Sequence, residues 1–124
     1  MNDPEVTMLD VPANTGLIAH REALAAAGAA IKLVLRLSTS LKSIADQVIR
    51  SASSVPANLA EGHGRCGRDR LHYWRIAYAS AKEVDSHLRL LVATGAISSS
   101  AATAALERFD AVRAMVWRLV HPTA

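Results

Sequence analysis

Four stretches of this chain repeat an apolar side chain every three or four residues, and short polar breaks separate them. That period is the turn of an α-helix laid against a core, so the chain must be built from helices packed on one another. The first stripe reads Leu17, Leu24, Ala27, Ile31 and Val34, and the second Ile44, Val48, Ala52, Val55 and Leu59. The third reads Trp74, Ala77, Tyr78, Ala81, Val84, Leu88 and Leu91, and the fourth Ala102, Ala105, Phe109, Val112, Val116 and Leu119. Ser38, Thr39 and Ser40 break the first helix from the second, and Gly62, Gly64 and Gly67 end the second. Asp69 offers the third an N-cap, Gly95 stops it after about Thr94, and Ser98 to Ser100 can cap the fourth, which ends before Pro122. The expected fold is all-α: an antiparallel, up-down-up-down four-helix bundle.

A chain of 124 residues fits one domain able to bury a core without staples. It is 51% hydrophobic yet only 4% aromatic, which favours closely packed helices over a β-sandwich. Pro4, Pro12 and Asn14 stand in a stretch without period, so residues 1–14 are expected as a flexible N-terminal arm and residues 15–121 as the bundle. Pro56 lies inside the second helix, where it removes a backbone hydrogen bond and predicts a kink or local break near Ala52. Small residues around it, among them Ser51, Ser53, Ser54 and Ala57, would let a neighbouring helix approach closely. Met115 and Trp117 make the fourth helix apolar beyond a single stripe, which implies deeper packing or a subunit contact.

Cys66 is the single cysteine, so no intramolecular disulfide forms. Asp3, Glu5 and Asp10 stand where a secretory signal would need a basic start and an apolar run, which leads us to expect a cytoplasmic protein. The longest apolar tract, Ala23 to Leu37, is broken by Lys32 and Arg36, too short and too charged to cross a membrane. The net charge of +3 hides an asymmetry. Three acids and no base lie in the first 16 residues, so the rest holds 14 bases against 8 acids, a net +6. A basic body of this kind favours polyanions.

Two segments carry a resemblance: Ser54-Val55-Pro56-Ala57-Asn58-Leu59-Ala60-Glu61-Gly62 and Ala77-Tyr78-Ala79-Ser80-Ala81-Lys82-Glu83-Val84. The chain resembles the four-helix bundle proteins first described as products of intervening sequences in large-subunit ribosomal RNA genes, over about residues 17–120. Ala79-Ser80 stands where many members have Gly-Ser. The resemblance implies the same bundle, and association as a ring-shaped pentamer. A related group, the accessory proteins of diversity-generating retroelements, shares bundle and pentamer and binds nucleic acid and a reverse transcriptase. RNA or DNA, and a protein partner, are therefore expectations carried by resemblance.

Arg65, Arg68, Arg70 and Arg75 face one acid, Asp69, between Gly62 and Arg75. These four arginines form the candidate nucleic-acid site, because the start of a helix adds free amides and a favourable dipole for phosphate. The same stretch spells GxGxxG from Gly62 to Gly67, but a dinucleotide fingerprint must follow a strand and here follows a helix. Core packing is the expected role of Trp74 and Tyr78, with base stacking by Tyr73 the alternative. Asn58 with Glu61, and Ser80 with Glu83, sit three apart on their helices and predict a structural polar network within the bundle. Asp69 with His72 is the single near match to the paired motif of a di-iron bundle, and Glu83 with His87 supplies two ligands at most, so no metal and no cofactor are expected. Cys66 lacks an oriented histidine, so no catalytic residue is assigned. The expected function is a non-enzymatic oligomeric scaffold or binding module, and the rival is a small-molecule or metal-dependent enzyme built on Glu61, Glu83 and His87.

Overall fold

The computed structural model describes residues 10–122, with side chains from Gly16 onward. Four helices fill it: α1 (Asp10–Val34), α2 (Lys42–His63), α3 (Gly67–Ala93) and α4 (Ser99–Val120), with a single 3-10 turn at Thr39–Leu41 between the first two. α1 packs on α2 and α4, and α3 packs on the same two. Short connections between consecutive neighbours make the arrangement antiparallel, the up-down-up-down bundle that the stripes predict. The first nine residues of the expected arm lie outside the described residues, and α1 begins at Asp10 rather than Thr15.

Three of the four stripes face inward as read. Val48, Ala52, Val55 and Leu59 of α2, Trp74, Ala77, Ala81, Val84, Leu88 and Leu91 of α3, and Ala102, Ala105, Phe109, Val112 and Val116 of α4 are buried in one core. The exception is α1. Its buried face is Ala19, Ala23, Ala26, Ala27, Ala30 and Val34, while Leu17 and Leu24 point to solvent, Leu24 with 53% of its surface exposed. Alanine wins the inner face because the large side chains of the other three helices already fill the centre. A helix that brings mostly methyl groups can settle its backbone close to them.

The helix ends follow from local chemistry. At the end of α3, Gly95 adopts φ +80°, its N–H donates to Val92 O at 3.0 Å, and the N–H of Ala96 reaches back to Leu91 O at 2.9 Å. This pair of bonds is the Schellman stop, which requires a left-handed residue that glycine accepts without strain. Ser98 caps α4 by accepting from the N–H of Ala101 at 3.1 Å. The N-cap of α3 is Cys66 instead of Asp69, which sits in the first turn, where its charge suits the helix dipole. α2 runs unbroken through the buried Pro56, in place of the expected break. Just before it, Ser51 and Ser53 donate from their hydroxyls to the carbonyls of Gln47 and Ile49, each at 2.8 Å.

The α2–α3 corner is the most tightly fitted part of the bundle. The Trp74 indole lies against Gly62, and its Nε1 donates to Leu59 O at 3.3 Å. A Cβ on Gly62 would stand 2.6 Å from Trp74 Cδ1 and Nε1, closer than side chains pack. Gly28 on α1 has open space at the same position. We therefore expect opposite outcomes from the same substitution. Gly62→Ala should destabilise by about 1–2 kcal/mol, because overpacking against the indole outweighs the gain in helix propensity. Gly28→Ala should stabilise by about 0.5–1 kcal/mol. Urea unfolding midpoints of the two variants against wild type check both signs.

Candidate nucleic-acid interface and polar clusters

The four candidate arginines lie around the α2–α3 turn and do not act alike. Arg65 is held by Glu61, with Nε and Nη2 at 3.0 and 2.9 Å from the same carboxylate oxygen, and its Nη1 is 3.7 Å from Asp69. The hydrogen bond that it donates to Glu61 raises its pKa above the ordinary value, fixing the charge while the carboxylate offsets its field. Its guanidinium also covers one face of the half-buried Tyr73 ring at 4.8 Å, so that face is closed to a base. Arg70 is structural: Nε donates to Gly62 O and Nη2 to His63 O, both at 3.1 Å, closing the C-terminal carbonyls of α2 from the first turn of α3. Arg68 and Arg75 are exposed and have no ion-pair partner among the described residues. The guanidinium groups free to make new contacts at the turn are therefore two of the four.

The expected polar network is smaller than the spacing implies. Ser54 and Ser80 bridge α2 and α3 through their hydroxyls at 2.9 Å, and Asn58 Nδ2 donates to Ser54 O at 2.8 Å and to Ser54 Oγ at 2.9 Å. Glu61 and Glu83 do not join it. Both are exposed: Glu61 pairs with Arg65 of the following turn, and Glu83 lies 3.5 Å from His87 on its own helix. A carboxylate at i finds its cheapest partner at i+4 on the surface, with no need to enter the core. Glu61 and Glu83 line separate shallow grooves, so they converge on no common substrate position. Among the described residues no three His, Cys, Asp or Glu side chains gather as metal ligands. Cys66 is exposed.

The buried acid is one the spacing did not single out. Asp85, 8% exposed on α3, takes a 2.7 Å hydrogen bond from Arg89 Nε and lies 3.7 Å from Arg113 Nη2 of α4, which also bonds Asp110 at 2.6 Å. The four charges cancel and tie α3 to α4. The bond to Asp85 raises the Arg89 pKa further. A sequence signal existed: Asp85 stands between the core residues Val84 and Leu88, with a cation four positions on. On α4, Met115 packs against the core, whereas Trp117 is 48% exposed, its ring stacked on His121 at 4.2 Å.

The chain belongs to the 23S rRNA-intervening sequence protein family, whose profile matches residues 16–118. A solved structure of similar fold is a protein of unknown function from the S23 ribosomal protein family of Bacteroides thetaiotaomicron. The two superpose with a TM-score of 0.79 at 21% identity, over 86% of this chain and 98% of the other. No curated protein matches the chain. No described helix is long and apolar enough to cross a membrane.

The pairing pattern predicts a contrast in stability. Asp85→Ala strips Arg89 and Arg113 of a buried partner and should cost about 1–3 kcal/mol. Glu83→Ala, on the surface, should stay within about 0.5 kcal/mol of wild type. Thermal melts followed by circular dichroism separate the two, and a larger loss from Glu83→Ala would contradict the assignment.

Proposed function

We propose that this protein is a non-enzymatic scaffold that assembles from identical copies and holds nucleic acid on its basic surface. The observation that carries the assembly is the outer face of α1. Leu17 and Leu24 on α1 and Leu35 in the turn that follows it are exposed, Leu35 at 68%; their spacings of seven and eleven residues set them on one line, because the Leu35 N–H still donates to Ile31 O at 3.0 Å and continues the helical path. Gly28 falls on the same line. An apolar ridge of this length on a helix whose inner face is alanine is surface in want of a partner. A second copy supplies one. The pentamer implied by the family resemblance is the assembly we favour, and it would repeat each basic turn around a ring, so that weak contacts add through avidity.

The family description speaks of 23S rRNA and the neighbour's of ribosomal proteins, and the net +6 outside the N-terminal stretch accords with a polyanionic partner. Arg68 and Arg75, exposed and unpaired among the described residues, are the contacts we assign at the turn. Arg70 keeps the turn in shape and Arg65 is occupied by Glu61. The enzyme alternative loses its support with Glu61 and Glu83 on the surface in separate grooves.

Two measurements test this reading. Light scattering after size exclusion should give a mass several times the 13.2 kDa of one chain, and Leu24→Glu with Leu35→Glu should reduce it toward that value. A wild-type mass near 13.2 kDa at all concentrations would end the oligomer reading. Nucleic-acid affinity should fall with salt, and removing Arg68 or Arg75 should flatten the logarithmic slope by about 0.7–0.9. Absence of binding at low salt would remove the nucleic-acid role.

A further inference from the structure

A cation recurs at every seventh position of α3: Arg68, Arg75, Lys82 and Arg89, all exposed. Seven residues make nearly two full helical turns, so these side chains lie on almost one line at intervals of about 10.5 Å. By helical geometry that line lies on the solvent side of Tyr78 and Asp85, the α3 residues that reach toward α4. Tyr78 shares a groove of about 670 Å3 with Asp110, Arg113, Ala114, Trp117 and Arg118. Arg89 and Arg113 are spent on Asp85 and Asp110. Arg68, Arg75, Lys82 and Arg118 have no ion-pair partner among the described residues, so the groove and its rim are cationic. Trp117 is half exposed, and the His121 ring backs it at 4.2 Å with 23° between the planes. Lys82 stands 5.9 Å from the Tyr78 ring.

We infer that the α3–α4 groove binds a single strand of nucleic acid, with phosphates along Arg68, Arg75 and Lys82 and a base stacked on Trp117. The inference rests on the nucleic-acid reading above and assigns that reading a strand type and a track. An exposed aromatic between unpaired cations suits an unstacked base joined to phosphates, and a duplex keeps its base faces covered. A second copy of this chain is the poorer occupant, since a symmetric pairing of this face would set its cations against each other. The turn offers a poorer platform, since Tyr73 is half-buried with the acid-paired Arg65 over its ring, whereas Trp117 is half exposed.

The test uses the full chain and short oligonucleotides of RNA and DNA, single-stranded and as duplex, with tryptophan emission and anisotropy read together. Trp74 is buried, so quenching reports Trp117. The single strand should quench emission, with RNA and DNA alike because neither contact reads the 2′-hydroxyl. Trp117→Phe should abolish the quench while retaining most of the affinity. Trp117→Ala should weaken single-strand binding about tenfold and leave duplex binding unchanged. Lys82→Glu should weaken binding to the strand and flatten its salt dependence. Circular dichroism and mass confirm that these surface variants keep fold and assembly. Binding without quench, indifferent to Trp117→Ala and Lys82→Glu but lost in Arg68→Glu with Arg75→Glu, would overturn the groove and leave the turn as the site. No binding by wild type would overturn both readings.

Discussion

The packing of this bundle turns on the alanine face of α1. Ala19, Ala23, Ala26, Ala27 and Ala30 bring almost no side-chain volume to the core, so Phe109, Leu59, Leu88 and Leu91 from the other helices occupy it. A methyl-lined helix gains less from burial per residue than a leucine-lined one. Its compensation is proximity, since a backbone drawn in close makes many dispersion contacts that a thicker helix would hold apart. The same choice leaves Leu17 and Leu24 of α1 facing outward. Inner closeness and outer apolarity are therefore one decision, and the second would be a liability in a chain that stayed alone.

Where the core was legible in the sequence, large side chains made it so. Val48, Leu59, Trp74, Phe109 and Val112 stand out from their neighbours, and a period drawn through them marks the inward face. α1 carries two apolar periods, one of leucine and one of alanine, and hydrophobicity alone ranks the wrong one first. Deciding between them needs the volume already supplied by other helices, which no local pattern contains. The sites divide in the same way. The density of arginine around the turn can be counted from the sequence, but Arg70 capping α2 and Arg65 lying on Glu61 depend on the angle at which α3 leaves the corner. Glu61 and Glu83 drew notice by their spacing beside core positions, yet Asp85 is the acid that the fold encloses.

α1 and α3 occupy opposite corners of the bundle, each touching α2 and α4. The leucine ridge and the cation row belong to these two helices, so the two surfaces do not overlap. Assembly through one leaves the other open. Pairing between α3 and α4 sharpens this division, because Asp85 and Asp110 cancel Arg89 and Arg113 while Arg68, Arg75 and Lys82, nearer the start of α3, keep their charge. A count of cations thus overstates the free charge near Asp85, and at the turn as well, where Glu61 holds Arg65.

The contact of Trp74 with Gly62 has a consequence for how such a chain can change over generations. With tryptophan in place, any side chain at 62 collides with the ring; with a smaller residue at 74, alanine at 62 would meet only the tight contact with Arg70 O at 3.1 Å and would gain in helix propensity. One replacement thus carries opposite sign on two genetic backgrounds. A lineage leaving this pair must lose the indole first and tolerate the weaker intermediate, so the two positions constrain each other's history although twelve residues separate them.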